Sequence, residues 1–176
     1  MTLDVVASLK AKIRDVPDFP IQGVLFRDIT PVLQDATSFH DAIDLIADLY
    51  DPAGYDVIVG MESRGFVFGA TIAYKFRRGF VPIRKLGKLP AEKVSIEYAL
   101  EYGSNTLEMH RDGIQPGQRA LIIDDLLATG GTCQASIDLI HRVGGTVVGA
   151  AFLVELDFLG GRERLAGTEV RSVLRF

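Results

Sequence analysis

The sequence predicts an α/β protein with an open, mostly parallel sheet flanked by helices. Two apolar runs, residues 56–60 and 120–123, are each followed by a glycine-containing loop and then by apolar residues at helical spacing. Strands that alternate with helices in this way typically form a parallel sheet. The chain has 176 residues and is 48% hydrophobic. We therefore expect residues 1–176 to form one domain with a full core.

Composition limits the classes of partner and compartment. The formal net charge of −4 argues against nucleic acid, because phosphate backbones require a basic surface. Small anions need only local positive charge. The single cysteine, Cys133, cannot form an internal disulfide and is expected to be a small buried residue. We see neither a signal-peptide pattern nor an apolar run of transmembrane length, and so expect a cytoplasmic protein.

The N-terminal region combines a helix with an apolar irregular segment. Apolar residues at helical spacing predict a helix over residues 3–14. Residues 16–31 contain three prolines and a glycine, which should preclude regular structure through most of the segment. The same segment carries Phe19, Leu25 and Phe26. It could close the edge of the core, or it could cover a flat apolar ligand with Phe26 as a stacking face.

A second helix is predicted over residues 39–50, where apolar residues share one face and aspartates share the other. The first apolar run then predicts a strand, and residues 66–75 a further helix. Arg64 lies in the loop between this strand and this helix, where its fork of donors suits an anion. The alternative is a salt bridge to Glu62 or Asp56.

A basic cluster follows the next strand. Residues 80–85 indicate a strand that ends in Arg84 and Lys85, and Lys88 lies in the loop after it. Such clusters are usually solvated surface charges. Here, however, the ends of neighbouring strands would bring them towards Arg64, so a polyanion such as pyrophosphate is a coherent ligand.

Residues 94–110 are rich in Tyr, Val and Ile and predict a strand pair or flap. Its glutamates Glu97, Glu101 and Glu108 are candidate acid/base groups. Each one alone would more commonly be a surface residue.

The second apolar run leads into a Gly-rich turn. Residues 120–132 predict a buried strand, a loop and the N-terminus of a helix. Gly130 and Gly131 allow backbone N–H groups to approach an anion, and the helix dipole favours negative charge. Thr129 and Thr132 add hydroxyl donors. The loop therefore suits a phosphate group.

Two adjacent carboxylates, Asp124 and Asp125, precede this loop. They would repel phosphate, but a carboxylate can accept hydrogen bonds from two vicinal hydroxyls. A phosphate site beside a diol site indicates a ribose 5-phosphate. A solvated turn would explain an isolated Asp-Asp or Gly-Gly pair, but it does not explain the whole run.

The remaining chain continues the alternation. A helix is predicted up to Arg142, a strand over residues 146–154, a short helical piece over 158–166 and an edge strand over 169–176.

These motifs together carry a resemblance. Residues 120–132 resemble the 5-phosphoribosyl-1-pyrophosphate (PRPP) motif of the type I phosphoribosyltransferases. Further segments are similar to those of the adenine phosphoribosyltransferase family: residues 19–31, 62–69, 83–90, 100–108 and 124–132. The resemblance covers nearly the whole chain. It implies that residues 1–33 form a helix and a hood over the base, and that residues 86–108 form a flexible flap.

The resemblance implies purine salvage, in which adenine and PRPP give AMP and pyrophosphate. It also implies a Mg²⁺ ion that is held mainly by substrate oxygens and water rather than by protein ligands. The residues implied to bind the 5-phosphate are Ala128, Thr129, Gly130, Gly131 and Thr132.

The resemblance assigns Asp124 and Asp125 to the ribose hydroxyls and to the developing cation. Arg64 and Lys85 would bind pyrophosphate, with assistance from Arg84 and Lys88, and the peptide bond before Arg64 is expected to be cis. For the base, Phe26 would stack on adenine while backbone groups of Leu25 and Arg27 read its N1 and N6 edge. Glu101 would act as general acid/base at N7, and Tyr102 would help to close the site. The implied catalytic residues are Arg64, Glu101, Asp124 and Asp125.

The resemblance further implies a homodimer with small-molecule substrates and no nucleic-acid or membrane partner. Two alternatives stay open. One is a PRPP-binding regulatory protein, which would need a nucleic-acid-binding surface. The other is a transferase for another purine base, because backbone hydrogen bonds rather than side chains would select the base.

Overall fold

A computed structural model describes residues 2–99 and 104–176. The chain divides into two compact units, Met1–Ala47 and Asp48–Phe176. Each unit is described by itself below, and the expectation of one domain over residues 1–176 stays a prediction.

The first unit contains three helices, α1 (Thr2–Lys12), α2 (Thr30–Gln34) and α3 (Ala36–Ala47), which contact one another. It also contains two strands, β1 (Arg14–Pro17) and β2 (Leu25–Asp28), which pair in an antiparallel sheet. The helices at either end of this unit agree with the sequence prediction, while α2 was not predicted.

The expectation that residues 16–31 lack regular structure through most of their length is wrong for the two strands. The prolines are compatible with a hairpin because they avoid the middle of its ladder. Pro17 ends β1, and Pro20 lies in the connection, after a cis peptide bond with Phe19. Gly23 supplies a positive φ of 87° there, and its N–H donates to Oδ1 of Asp18 at 2.7 Å.

The second unit is built on a seven-stranded sheet. Its strands in chain order are β3 (Val57–Met61), β4 (Gly79–Lys85), β5 (Lys93–Ala99), β6 (Ser104–His110), β7 (Arg119–Leu127), β8 (Thr146–Glu155) and β9 (Val170–Arg175). Their spatial order is β5-β6-β4-β3-β7-β8-β9. The five strands from β4 to β9 in this order pair in parallel, whereas β5 and β6 are antiparallel.

Helices α4 (Gly65–Phe76), α5 (Gly131–Arg142) and α6 (Gly161–Arg164) follow β3, β7 and β8. Every residue of β3 is buried, as expected for a central parallel strand covered on both faces. The predicted fold class, an open and mostly parallel sheet flanked by helices, is confirmed.

The topology places the candidate site. Strands β3 and β7 are parallel neighbours, with Gly60 opposite Ile123. The loops that follow them therefore leave the sheet at the same edge, which is where ligands bind in open α/β sheets. Within the described part of the chain, no helix combines the length and apolar character that crossing a bilayer requires.

Candidate active site

The loop between β7 and α5 encloses a small cavity. Gly130 precedes the first residue of α5 with a φ of 76°, a conformation that other residues rarely adopt. The cavity has a volume of about 80 Å³ and is lined mainly by residues 126–133. Backbone N–H groups at the start of α5 and the helix dipole make this a suitable site for a phosphate group.

Gly161, the first residue of α6, packs against this loop. A Cβ atom at Gly161 would overlap the carbonyl oxygen of Ala128, and one at Gly130 would lie 2.6 Å from the carbonyl oxygen of Gly161. The loop can therefore keep its shape only because both positions are glycine. Gly161 was missed from the sequence, where its only signal is the pair Gly160-Gly161.

An ion pair fixes the segment that carries Gly161. Nε and Nη2 of Arg162 donate to the two oxygens of the buried Glu155 at 2.8 and 2.5 Å. Ser172 donates to the same carboxylate at 2.6 Å. Burial raises the pKa of Glu155, but the hydrogen bonds from Arg162 and Ser172 outweigh it and the pKa is lowered overall. This buried charged network was also missed from the sequence.

The two carboxylates Asp124 and Asp125 lie near the end of β7 and are both buried. The backbone N–H of Asp125 donates to Oδ1 of Asp124 at 2.8 Å. Burial, followed by the neighbouring negative charge of Asp125, raises the pKa of Asp124 well above its ordinary value. A Cβ atom at Gly65 would lie 2.7 Å from Oδ1 of Asp124, so α4 approaches this carboxylate closely.

Arg64 faces the aspartate pair from the loop after β3. Its Nε lies 2.5 Å from Oδ2 of Asp125. The pairing with Glu62 or Asp56 that the sequence left open is not the ion pair seen here. Glu62 instead accepts from Arg84, and Asp56 pairs with Arg119.

A second cavity of about 270 Å³ adjoins the first. Its lining residues are Glu62, Ser63, Arg64, Lys85, Asp124, Asp125, Leu126 and Thr132. Asp124, Leu126 and Thr132 line both cavities. The Gly-rich loop, the paired carboxylates and the two cations Arg64 and Lys85 therefore line one continuous surface. This agrees with the expectation that the ends of neighbouring strands bring these groups together.

Arg84 and Lys88 are placed differently from Lys85. Nε of Arg84 donates to Oε2 of Glu62 at 3.1 Å, and the same oxygen accepts from the backbone N–H of Lys85 at 3.0 Å. Although burial raises the pKa of Glu62, these hydrogen bonds lower it overall. Lys88 is exposed and does not line either cavity, and Arg84 also lines neither.

The cis peptide bond near this loop is one residue earlier than expected. Among the described residues, the non-proline cis bond joins Glu62 and Ser63, so the expectation of a cis bond directly before Arg64 is wrong. The loop turns between Glu62 and α4, and the position of the bond within that turn cannot be inferred from residue type.

The proposed base-binding residues belong to the first unit. Leu25 is exposed, and the ring of Phe26 meets that of Phe19 edge to face with centroids 5.2 Å apart. Arg27 pairs with Asp15. Backbone groups of successive strand residues point to opposite edges of a strand, so those of Leu25 and Arg27, two positions apart in β2, point to the same edge.

The flap strands contact the phosphate loop. The hydroxyl of Tyr98 in β5 lies 3.1 Å from Oγ1 of Thr132. Glu97 accepts from the Ser104 hydroxyl across the strand pair. Glu101 and Tyr102 lie outside the described residues, so the roles predicted for them stay predictions.

Two further residues that the sequence singled out, Glu108 and Cys133, are buried. Glu108 is buried, accepts from the backbone N–H of Gly87 at 2.9 Å and lies 3.4 Å from Nζ of Lys93. Cys133 is buried, and burial followed by the charge of Asp124 raises its thiol pKa. The expectation that Cys133 is a small buried residue is confirmed.

The described residues offer no group of three or more His, Cys, Asp or Glu side chains that could hold a metal ion. Asp124 and Asp125 are a pair, and Arg64 already neutralises one of them. A divalent ion at this site would need most of its oxygen ligands from a substrate and from water.

Comparison with known proteins agrees with this geometry. Residues 30–172 match the family model of the phosphoribosyl transferase domain. An adenine phosphoribosyltransferase of Caldicellulosiruptor saccharolyticus is 56% identical over 169 residues, which cover 96% of this chain and 97% of that protein. Another, from Acetivibrio thermocellus, is 53% identical over 169 residues, covering 96% of this chain and 99% of that protein.

Solved structures show the same similarity. The crystal structure of adenine phosphoribosyltransferase from Thermoanaerobacter pseudethanolicus has a TM-score of 0.95 at 50% identity and covers 97% of this chain and 99% of its own. The enzyme from Saccharomyces cerevisiae, solved in complex with adenine and an imino-altritol bisphosphate, has a TM-score of 0.92 at 37% identity. That match covers 98% of this chain and 99% of the yeast chain.

Proposed function

The chain belongs to the adenine phosphoribosyltransferases of the phosphoribosyl transferase domain family, and we propose on this premise how its residues perform the reaction. The enzyme transfers the 5-phosphoribosyl group from PRPP to adenine, giving AMP and pyrophosphate in purine salvage. The observation that carries the proposal is the pair of adjoining cavities that share Asp124, Leu126 and Thr132. One is suited to a phosphate monoester, and the other presents Arg64 and Lys85 to a second anion.

PRPP spans both cavities in this proposal. Its 5-phosphate binds the loop of Ala128, Thr129, Gly130, Gly131 and Thr132. The ribose hydroxyls bind Asp124 and Asp125, and the pyrophosphate binds Arg64 and Lys85. Arg84 acts indirectly, because it holds Glu62 and thereby the loop that carries Arg64. Lys88 is exposed and lines neither cavity, so it contributes to pyrophosphate binding only if the pyrophosphate extends out of the cavity.

The reaction exchanges one bond at the ribose C1. N9 of adenine forms a bond to C1 while the bond from C1 to the pyrophosphate oxygen breaks, and pyrophosphate leaves with the electron pair. Positive charge develops on the ribose, and the carboxylates Asp124 and Asp125 stabilise it in a site shielded from water. As N9 bonds to C1, the base loses its imidazole proton from N7, and Glu101 accepts this proton as general base while Tyr102 closes the flap.

Adenine selection is assigned to the first unit. Phe26 stacks on the base, and the backbone groups of Leu25 and Arg27, which share one direction along β2, read its N1 and N6 edge. Support comes from the yeast relative, which was solved with adenine bound. Because the contacts to the edge are backbone groups, an adenine preference depends on the shape of β2 and not on the side chains of Leu25 and Arg27.

A Mg²⁺ ion fits this site as a partner of the substrate. Phosphoribosyltransferases of this type generally use Mg²⁺ with PRPP, and substrate oxygens and water would supply most of the ligands of such an ion. When bound, the ion neutralises charge on the departing pyrophosphate. The protein residues nearest to such an ion would be Asp124 and Asp125.

The proposal includes a cytoplasmic homodimer. A lone buried thiol fits a reducing compartment. Tyr74 on α4 is 88% exposed, and aromatic residues of this kind are enriched in subunit interfaces. Sedimentation at micromolar concentration tests the dimer directly, and a mass near 19.2 kDa would contradict it.

The function is tested by the release of pyrophosphate from PRPP and Mg²⁺ with adenine, hypoxanthine, guanine or uracil offered separately. Release with adenine alone is expected. Release with another base would support a phosphoribosyltransferase but contradict the role of the Leu25–Arg27 segment in selecting adenine. Tight PRPP binding without release would favour a PRPP-binding regulator.

A further inference from the structure

The cavity proposed for the 5-phosphate is short of positive charge. Among the described residues that line it, none is basic, and Asp124 adds a carboxylate. Backbone N–H groups, two threonine hydroxyls and the dipole of α5 provide partial charges only. A phosphate monoester carries nearly two negative charges at neutral pH. A cation close to the loop would therefore strengthen the binding of this phosphate.

Arg164 at the end of α6 is placed to supply that charge. A Cβ atom at Gly131 would lie 3.3 Å from Nη1 of Arg164, so the guanidinium rests beside the first residue of α5. The same point lies 3.6 Å from the ring of Tyr98, whose hydroxyl contacts Thr132. Arg164 thus lies next to Gly131 of the proposed phosphate loop, on the side where Tyr98 of the flap strand meets it.

The backbone that carries Arg164 is fixed on both sides. Before it, Arg162 is held by both oxygens of Glu155 and donates to the carbonyl of Val170 at 2.5 Å. After it, Leu165 is buried. The position of the Cα of Arg164 is therefore set by the core, while its side chain is exposed.

The guanidinium of Arg164 is also available. Among the ion pairs formed within residues 2–99 and 104–176, none includes Arg164, whereas Arg162 and Arg64 both have carboxylate partners. Arginine presents a planar fork of donors that matches phosphate oxygens. An unpaired arginine held beside a Gly-rich anion loop is thus suited to the outer oxygens of the bound group.

We propose that Arg164 is a further substrate-binding residue that contacts the 5-phosphate of PRPP and AMP from the α6 side of the loop. This assignment rests on the proposed function, because it requires the loop to hold that phosphate. Each anion then has its own cationic side chains. Arg164 binds the 5-phosphate, and Arg64 and Lys85 bind pyrophosphate.

The test measures binding of ribose 5-phosphate and of pyrophosphate, each with Mg²⁺, by calorimetry on the full-length protein. For Arg164→Gln we expect the Kd of ribose 5-phosphate to rise roughly 5- to 20-fold, since the contact is charged but exposed. The Kd of pyrophosphate should stay unchanged. Arg164→Lys should retain most of the affinity, and the gap between wild type and Arg164→Gln should narrow as salt is added.

Arg111→Gln is the matched control. It removes the same charge from an exposed arginine that pairs with Glu92 and lines a different cavity, one that shares no residue with the loop cavity. Its ribose 5-phosphate affinity should equal that of wild type, which excludes a general effect of net charge.

Three outcomes would overturn the inference: an unchanged Kd for ribose 5-phosphate in Arg164→Gln, an equal loss for pyrophosphate, or an equal loss in Arg111→Gln. The proposed function is judged separately. If wild-type protein forms AMP but Arg164→Gln binds ribose 5-phosphate normally, only the role of Arg164 fails. If wild-type protein binds neither PRPP nor ribose 5-phosphate, the proposed function fails.

Discussion

Nε of Arg64 lies 2.5 Å from Oδ2 of Asp125, so the side chain proposed to bind pyrophosphate is paired with one proposed to bind the ribose. The carboxylate is buried, whereas the arginine side chain is 45% exposed. The pair therefore joins the two parts of the PRPP site before substrate arrives. Pyrophosphate that binds beside Arg64 would share this arginine with Asp125, so the buried carboxylate would keep its counter-ion.

Replacing Arg64 should weaken PRPP selectively. Arg64→Gln removes a charge-assisted contact, which is worth about 1.5–3 kcal/mol, so KM for PRPP should rise roughly 10- to 100-fold. KM for adenine should change little. Steady-state kinetics of AMP formation measure both constants.

Arg119→Gln is the control for this variant. Arg119 pairs with Asp56 at the opposite end of β7, and both side chains are partly exposed. Loss of such a pair costs little stability. An equal rise in KM for PRPP in both variants would contradict a direct role for Arg64.

The packing of Gly161 against the phosphate loop gives a second prediction. Gly161→Ala places a Cβ on the carbonyl oxygen of Ala128, so the loop or α6 must shift. Overpacking of this kind typically costs about 1–3 kcal/mol. We expect a lower Tm and a higher KM for PRPP.

Gly54→Ala provides the comparison, because a Cβ at Gly54 would meet nothing within 4 Å. It should leave Tm and KM for PRPP near the wild-type values. Normal PRPP kinetics in Gly161→Ala would show that the loop tolerates the shift.

The raised pKa of Asp124 predicts a pH-dependent stability. Burial and then the charge of Asp125 raise this pKa above the ordinary 3.8, so ionising Asp124 costs more free energy in the folded protein than in the unfolded chain. The contribution of protonated Asp124 to the free energy of unfolding is fully present below the unfolded-state pKa. It is lost as the pH rises through the folded-state pKa. Asp124→Asn cannot ionise and avoids that loss.

Thermal unfolding of Asp124→Asn and wild type between pH 4 and pH 8 measures this effect. The variant should have the higher Tm at pH 7, and the difference should shrink towards pH 4. Its turnover should fall, because a neutral amide does not stabilise the developing cation. A variant that is less stable than wild type at pH 7 would show that ionised Asp124 does not destabilise the folded protein.

Two flap glutamates can be distinguished by the same substitution. Glu101→Gln should cut turnover while PRPP binding stays nearly intact, because the proposed role is proton transfer at N7 of adenine. Glu97→Gln should have little effect, since Glu97 accepts from Ser104 within the strand pair. Single-turnover kinetics with PRPP binding measured in parallel separate the two steps. Full activity in Glu101→Gln would remove the assignment.

Much of the fold followed from local patterns. The apolar runs of β3 and β7 and the loops after them were recognisable, and parallel pairing then placed Arg64, Lys85 and the aspartate pair at one edge of the sheet. The hairpin of β1 and β2 was not predicted, because the prolines of this segment argue against strands. The hairpin forms all the same because these prolines lie outside the middle of its ladder.

The support of the phosphate loop could not be inferred from sequence. Gly161 meets Ala128, more than thirty positions earlier, only because β8 returns to the same edge of the sheet as β7. Likewise Glu62 could have paired with either Arg64 or Arg84, and the choice depends on side-chain geometry after folding. Such long-range contacts leave no periodic signal in the chain.

³¹P NMR of the wild-type protein with PRPP, Mg²⁺ and adenine follows phosphoribosyl transfer directly. We expect that each PRPP consumed yields one AMP and one pyrophosphate, and that PRPP persists when adenine is omitted. PRPP that stays intact with adenine present, or that is hydrolysed to ribose 5-phosphate instead, would contradict transfer of the phosphoribosyl group to adenine.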